Sequence, residues 1–507
     1  MQKDIIINSS EFETRIAILE NSKLTELWVE RPESERIVGD IYKGIVKAVL
    51  PGMQAAFLDL GLERSAFLHI SDITDLYEAD FLEEEELAQR KKKKAQKKIE
   101  ELLKKGQEIL VQIMKEQMGT KGPKVTSQLS LAGRYLVLVP GEEHIGVSRK
   151  IIEREEKKRL KRVVSELKPE GFGAIIRTVA EGKDRKEFKN DIRLLLNLWK
   201  KIRREAEKKK APVLVHKDMG LVASVIRDQL SSEVKQVMID SKWEYKKIRS
   251  YLRVIAPSLR HKVIWYDKDI PIFDFYNIES QIEKMLDRRV WLRKGAYIVI
   301  DQTEAMVTID VNTGRFVGKS DQQTTILKTN LEAAREIARQ IRLRDMGGLI
   351  IVDFIDMESF ENRKKVFEEF KASFKSDRSK HSILPISDFG LIEMTRERIR
   401  PSLLYTFSQP CPTCNGIGRV LSKETLAAKI ERWFKRAKVR SVDKKFKLCI
   451  HPEVYRVLSE GKESRIKKLC RMLGIEILLD KDENLSADEF KVFSLDEEEE
   501  ITDRFKA

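Results

Sequence analysis

AMVTID, residues 305–310, and GLIIVDFIDM, residues 348–357, decide how this chain folds. Each is a short apolar run carrying an aspartate. Between them, residues 331–343 have helical periodicity, with Leu331, Ala334, Ala338 and Ile341 on one side and Arg335, Arg339 and Arg342 on the other. Gly347-Gly348 stops that helix. The order strand, helix, strand predicts a right-handed crossover to a parallel partner, so Asp310 and Asp353 arrive at the same carboxyl edge of one sheet. An ionised carboxylate among apolar neighbours costs several kcal/mol unless it is paired or holds a metal. Two from adjacent strand ends suit magnesium, which takes one or two carboxylates and keeps several waters. Asn312, just beyond, could donate to a phosphate oxygen or fix a metal-bound water, and such an ion polarises a phosphodiester for in-line displacement. The rival reading makes the two acids strand-end caps or ion-pair partners of Arg342 or Arg344.

Upstream, residues 290–292 and 296–301 read as a hairpin around Lys294-Gly295, which makes AMVTID the third strand. Residues 213–276 mix helix and strand and lead through Asn277, read as a helix cap, into a helix ending near Arg289. At the amino end, residues 4–29 alternate apolar and polar residues as a strand pair. Residues 37–73 carry short strands punctuated by Gly39, Gly44, Pro51-Gly52 and Gly61, the grammar of a small β-barrel. The block 83–105, acidic and then basic, interrupts that barrel as an exposed insertion before EILVQIMK resumes it at Glu108. Strands follow at 135–139 and 174–179, then a charged helix over 193–210 that ends before Pro212.

At 507 residues the chain exceeds what one core can organise, and 41% hydrophobic residues supply several. The net charge of +15 and a pI near 9.3 favour a polyanionic partner, although a 35% charged surface also serves plain solubility. MQKDIIINSS is too short in apolar residues for a secretory leader, and no run approaches the roughly 20 of a membrane span. Four cysteines in so long a chain indicate a reducing compartment, so a cytoplasmic protein is expected.

On the barrel, Phe57 and Phe67 lie near Tyr42, Lys43, Lys47, His69 and Lys115, and aromatic faces with cations are what single-stranded RNA uses. The competing fate of a strand Phe is barrel core, and His69 alone reads as structural. CPTCNGIG, residues 411–418, has zinc-knuckle spacing, but zinc takes four ligands and the chain has no second knuckle. Cys411 and Cys414 from each of two protomers would complete a site. The alternatives are completion by Cys449 or His451 within the chain, or a redox dithiol, which needs a thioredoxin-like βαβ context not evident around it.

The segments GDIYKGIVKAVLPGMQAAFLDLG (39–61), PIFDFYNIE (271–279), DQTEAMVTIDVNTG (301–314), RQIRLRDMGGLIIVDFIDM (339–357), LIEMTRER (391–398) and CPTCNGIG, in that order over essentially the whole chain, resemble the ribonuclease E/G family. The resemblance implies a multi-subdomain α+β fold. In it, an RNase H-like subdomain (1–36 and 213–285) is interrupted by an OB-type RNA-binding barrel (37–125) and a five-prime sensor (126–212). A DNase I-like catalytic subdomain (286–407), a zinc-link (408–422) and a small dimerisation domain (423–507) follow.

It further implies that Asp310 and Asp353 hold Mg2+ with Asn312 as accessory catalytic residue. Phe57, Phe67 and Lys115 match RNA contacts, and Cys411 and Cys414 match an interprotomer Zn2+ site. Arg177 and Thr178 in GAIIRTVAEG match a pocket for a five-prime monophosphate, which a guanidinium fork and a hydroxyl suit. On the residues alone, Arg177 serving a structural carboxylate competes. The implied activity is magnesium-dependent cleavage of single-stranded AU-rich RNA to five-prime phosphate and three-prime hydroxyl ends, stimulated by a five-prime monophosphate, in rRNA maturation and mRNA decay. The implied assembly is a homodimer or higher homo-oligomer that binds no membrane.

Two features depart from the family pattern: the block 83–105 is longer than the usual loop, and the chain ends at Ala507 without a Pro- and Arg-rich tail. The second favours the short G-type branch over a tail-less E-type core. A non-catalytic RNA-binding protein is the rival class, against which the intact Asp310, Asp353 and Asn312 weigh.

Overall fold

Residues 4–29 form three antiparallel strands instead of the expected pair: β1 (Lys3–Ser9), β2 (Thr14–Glu20) and β3 (Lys23–Glu30). Asn21 and Ser22, with φ of 51° and 65°, make so tight a turn that the chain re-pairs at once. β1 continues in parallel to β14 (Val234–Ile239), and β14 to β15 (Val263–Trp265), giving the order β15-β14-β1-β2-β3. The helices Leu221–Gln229 and Lys242–Ile255 bury Ile226, Ile248 and Leu252 against Ile5 and Ile7 of this sheet. Asn277 is not the expected backbone cap. It turns at φ 52°, its side chain accepts from Ser280, and the helix Glu279–Met285 follows Ile278.

The computed structural model describes residues 2–32, 36–74, 98–117, 122–314, 322–387, 389–398, 400–414, 416–440, 443–460, 464–486, 488–496 and 499–505. It forms two units, Met1–Leu404 and Tyr405–Ala507.

The barrel comprises β4 (Ile41–Leu50), β5 (Ala55–Asp59), β6 (Ala66–His69), β7 (Glu108–Lys115) and β8 (Lys124–Thr126), closed by pairing of β4 with β7. Most of the charged block lies outside the described residues. Its end does not stand apart as expected: the helix Ile99–Leu102 inserts Ile99, with Leu103, into the barrel core. β13 (Val213–His216) opens the segment expected to rejoin the first sheet, yet it pairs with β4. β5 reaches only Ile45–Leu50 of β4, and β13 takes the backbone groups left open at Ile41–Lys43.

β9 (Leu131–Ala132), β10 (Leu136–Pro140), β11 (Ile145–Val147) and β12 (Phe172–Ile176) form a third sheet under the helices Arg154–Leu167 and Arg185–Lys208. The second helix starts earlier than its charge pattern suggested because Glu187 reaches back to accept from the Asp184 N–H at 3.1 Å.

The six-stranded sheet β16-β17-β18-β19-β21-β20 comprises β16 (Arg289–Trp291), β17 (Tyr297–Gln302), β18 (Met306–Asn312), β19 (Gly348–Asp353), β20 (His381–Ile383) and β21 (Leu391–Arg396). Its inner face packs Ile298, Ile309, Val311, Ile350 and Val352 on the helices Gln322–Leu343 and Phe360–Ser373. Arg342 lies on the side of the helix opposite the expected apolar stripe. It is buried and bonds Glu20 at 3.1 Å and Glu26 at 2.8 Å, tying the crossover helix to the first sheet.

In the second unit, β22 (Lys445–Ile450) and β23 (Glu476–Lys481) run parallel, joined through the helices Pro452–Ser459 and Arg465–Leu473. β24 (Phe490–Ser494) and β25 (Glu499–Glu500) complete the sheet. Trp433 and Phe434 of the helix Lys423–Arg440 fill its core. Among the described residues no helix is long and apolar enough to cross a membrane.

Candidate active site

Parallel pairing of β18 with β19 sets Asp310 directly opposite Asp353 in register. The alternation that buries Ile309, Val311 and Val352 turns both acids outward, where they are exposed. Asn312, two residues on and on the same face, donates from Nδ2 to Asp310 Oδ2 at 2.6 Å. Partial burial, then the charges of Asp310 and Asp356, push the Asp353 carboxyl above its ordinary range.

The ion-pair alternative is not what the arginines do. Arg342 is committed to Glu20 and Glu26, and Arg344 bonds Gln340 and the Asp287 carbonyl, each at 2.8 Å. Like charges thus converge at a strand edge with no cation from the described residues paired to them. Two hard carboxylates fit magnesium by number and chemistry. No group of three or more His, Cys, Asp or Glu that could hold a metal occurs among the described residues, which is too few for a structural zinc.

On the barrel, Phe57 and Phe67 are register partners on β5 and β6 with ring centroids 5.8 Å apart, and both are half-buried while Leu58 and Leu68 are fully buried. The strand alternation therefore turns both rings away from the core. The row continues through Lys124 on β8 to exposed Lys115 on β7. Lys124 was not singled out from the sequence. Its ammonium is held 2.8 Å from the fully buried Asp72, a partner that no local pattern announces. His69 bonds Ser71 at 2.8 Å, a structural role, while its ring stacks toward Phe67 at 6.5 Å. Tyr42 is core, Lys43 pairs with Glu108 at 2.7 Å and Lys47 with Asp59 at 3.1 Å.

Arg177 and Thr178 follow β12. The Thr178 hydroxyl shares a 3.0 Å bond with Ser148, and Arg177 donates to the Gly133 carbonyl at 2.8 Å. Arg177 also meets Asp228 at 2.7 Å. Burial works against charge on Asp228, but Arg177 and Arg227 outweigh it and hold the carboxyl at about 2. Arg177 therefore does serve a structural carboxylate, and a phosphate would have to share it.

Cys411 and Cys414 lie on an exposed turn, where the Gly418 N–H donates to Cys414 Sγ at 3.2 Å. Backbone N–H groups of Cys414 and Thr413 hold the Cys411 thiol below its ordinary range. Cys449 is buried in β22 and His451 caps the helix that follows, and neither is gathered with the knuckle into a group of three ligands.

A pair of parallel strands bearing two unpaired carboxylates, in one unit with a small barrel that has an aromatic and cationic face, defines a nucleic-acid-processing class of protein. Residues 130–399 match the ribonuclease E/G family, residues 35–126 an S1 RNA-binding domain, and residues 410–497 the thioredoxin-like domain of RNase E/G. The chain belongs to the ribonuclease E/G family, a family of endoribonucleases. It is 39% identical to ribonuclease G of Escherichia coli strain K12 over 464 residues, covering 92% of this chain and 94% of that one. Against ribonuclease G of Haemophilus influenzae it is 41% identical over 429 residues, 85% and 86% of the two chains. It is 35% identical to ribonuclease E of Haemophilus influenzae over 504 residues, 99% of this chain but 53% of that protein.

The thioredoxin-like match corrects the expectation that no such context surrounds the cysteines. The β22–β23 crossover supplies one, although Cys411 and Cys414 precede it on their own turn.

Proposed function

We propose that this chain is a magnesium-dependent endoribonuclease that cuts single-stranded RNA to leave five-prime phosphate and three-prime hydroxyl ends. Its AU-rich preference and its roles in ribosomal RNA maturation and message decay, in the cytoplasm, follow the family resemblance. The observation that carries the reading is the in-register meeting of Asp310 and Asp353 on the open face of a sheet, unpaired with any described cation. The two carboxylates would hold the ion, and Asn312 fixes the orientation of Asp310 by its 2.6 Å bond. Magnesium, when bound, supplies the charge that polarises the phosphodiester and activates the attacking water.

The remaining assignments are of a piece with this. Phe57 and Phe67 stack bases, Lys115 meets the backbone, and Arg177 with Thr178 receives a five-prime monophosphate. The antiparallel-then-parallel first sheet supports an RNase H-like subdomain, and the mixed six-stranded sheet a DNase I-like one. Cys411 and Cys414 would share zinc with a second copy in a homodimer.

The deciding experiment is cleavage of a five-prime monophosphorylated oligonucleotide with and without magnesium. Asp310→Asn and Asp353→Asn should each lose about a hundredfold or more in rate while binding RNA as the parent does. Undiminished cutting by either variant would remove the nuclease assignment.

A further inference from the structure

The register that aligns the two aspartates also runs the other way across the sheet. Asn312 of β18 pairs with Tyr297 of β17, and Tyr297 with Trp291 of β16, so all three side chains share the outer face with Asp310 and Asp353. Trp291 is 63% exposed, although Leu292 beside it is core. The Trp291 and Tyr297 rings meet edge to face at 5.3 Å, and the exposed Arg289 lays its guanidinium 4.4 Å from the Tyr297 centroid and 5.6 Å from that of Trp291. The turn after β18 closes against this group: a Cβ on Gly314, at φ +59°, would lie 2.3 Å from the Gly295 carbonyl oxygen and 3.4 Å from Tyr297 Cδ1. Strands spaced about 4.8 Å apart put Trp291 roughly 10 Å across the sheet from Asn312, within a nucleotide or two of a phosphate held by the acids. On the other flank, β21 presents Leu391, Glu393 and Thr395 to the same face, none of which can stack on a base.

We infer that Trp291 and Tyr297, with Arg289, form a stacking platform for an RNA base flanking the cut. The platform fixes on which side of the carboxylate pair the single strand lies and helps to select the sequence cleaved. An exposed Trp on an open sheet face would also suit a protein partner. The continuity of this row with the carboxylates favours RNA, because a strand laid over Asp310 and Asp353 can continue along this face onto the two rings. Base–aromatic stacking is sequence-tolerant, and a purine, with the larger ring, would bind best. The adjacent guanidinium adds a positive charge for the flanking phosphate.

The inference rests on the endonuclease reading, and the test separates the two. Oligonucleotides with a single abasic position, moved stepwise through the nucleotides flanking the cut, are bound to the full chain without magnesium and cut by it with magnesium. One flanking position should weaken binding to the parent by about 5- to 150-fold. Trp291→Ala should lose a similar factor on the intact oligonucleotide and become indifferent to that position, while Trp291→Phe retains most of the parent's affinity. If no flanking abasic position matters to the parent, or if Trp291→Ala and Tyr297→Ala respond to it as the parent does, the platform is refuted, whatever the cleavage result. If instead Asp310→Asn cuts normally while the abasic effect persists, the nuclease assignment falls and the stacking site stands.

Discussion

Asp353 and Asp228 are carboxylates driven in opposite directions by their surroundings. Asp353 is pushed up by burial and by the neighbouring acids, so the fold favours its protonated form. Its contribution to stability is complete below the unfolded value of 3.8 and is lost as pH rises through the folded value. At neutral pH it is a liability that a cation would relieve. Asp353→Asn should therefore stabilise the magnesium-free protein by under about 1 kcal/mol, given solvent screening, and should abolish the rise in Tm that magnesium gives the parent. Calorimetry without and with added magnesium reads both, and a parent whose Tm ignores magnesium would contradict the site.

Asp228, held at about 2 by two guanidiniums, behaves oppositely: its stabilisation is complete above 3.8 and is lost as pH falls toward 2. Arg177→Lys keeps a charge beside it but removes the fork, so preference for a five-prime monophosphate should fall while acid stability changes little. Loss of acid stability with intact preference would leave Arg177 only its structural role. Asp310, Asp353 and Asn312 were legible in the sequence because a crossover rule and a two-residue repeat place them. The partnership of Arg177 with Asp228 was not, since it joins the end of β12 to the helix Leu221–Gln229, which no local period connects.

In the barrel, alternation alone could not say whether Phe57 and Phe67 faced in or out, because small Ala55, Ala56 and Ala66 leave the periodicity without contrast. The fold resolves it: Leu58 and Leu68 take the core and the rings face outward. Phe57→Ala and Phe67→Ala should each weaken single-stranded RNA binding by about 5- to 150-fold with little loss of Tm. A fall in Tm matching the several kcal/mol of a core Phe deletion would mark them as packing residues instead. Lys115→Ala should lower the salt slope of log affinity by about one contact, an effect a purely structural lysine would not produce. The same limit explains β13, which lies in a segment legible only as mixed helix and strand and whose partner is an open stretch of β4 far away in sequence.

Among the described residues, the knuckle offers fewer ligands than a structural zinc takes. Cys411 and Cys414 offer two sulfurs, a structural zinc needs four ligands, and no third His, Cys, Asp or Glu is gathered with them among the described residues. The backbone N–H groups that hold the Cys411 thiol down also favour the thiolate that a metal takes. Two chains sharing one tetrahedral ion satisfy the count, and because the unfolded chains have no such site, ion and assembly are thermodynamically linked. Purified protein should then hold about half a zinc per chain, and chelation should shift the molar mass from dimer toward monomer in a concentration-dependent way. Cys414→Ser should be zinc-free and monomeric while still cutting short oligonucleotides in magnesium, since the candidate acids lie in the other unit. A full zinc per chain in a monomer, or a dimer unmoved by chelation, would require ligands from elsewhere. A dithiol that cycles with mild oxidant and reductant while zinc is absent would instead turn the thioredoxin-like context into a redox site.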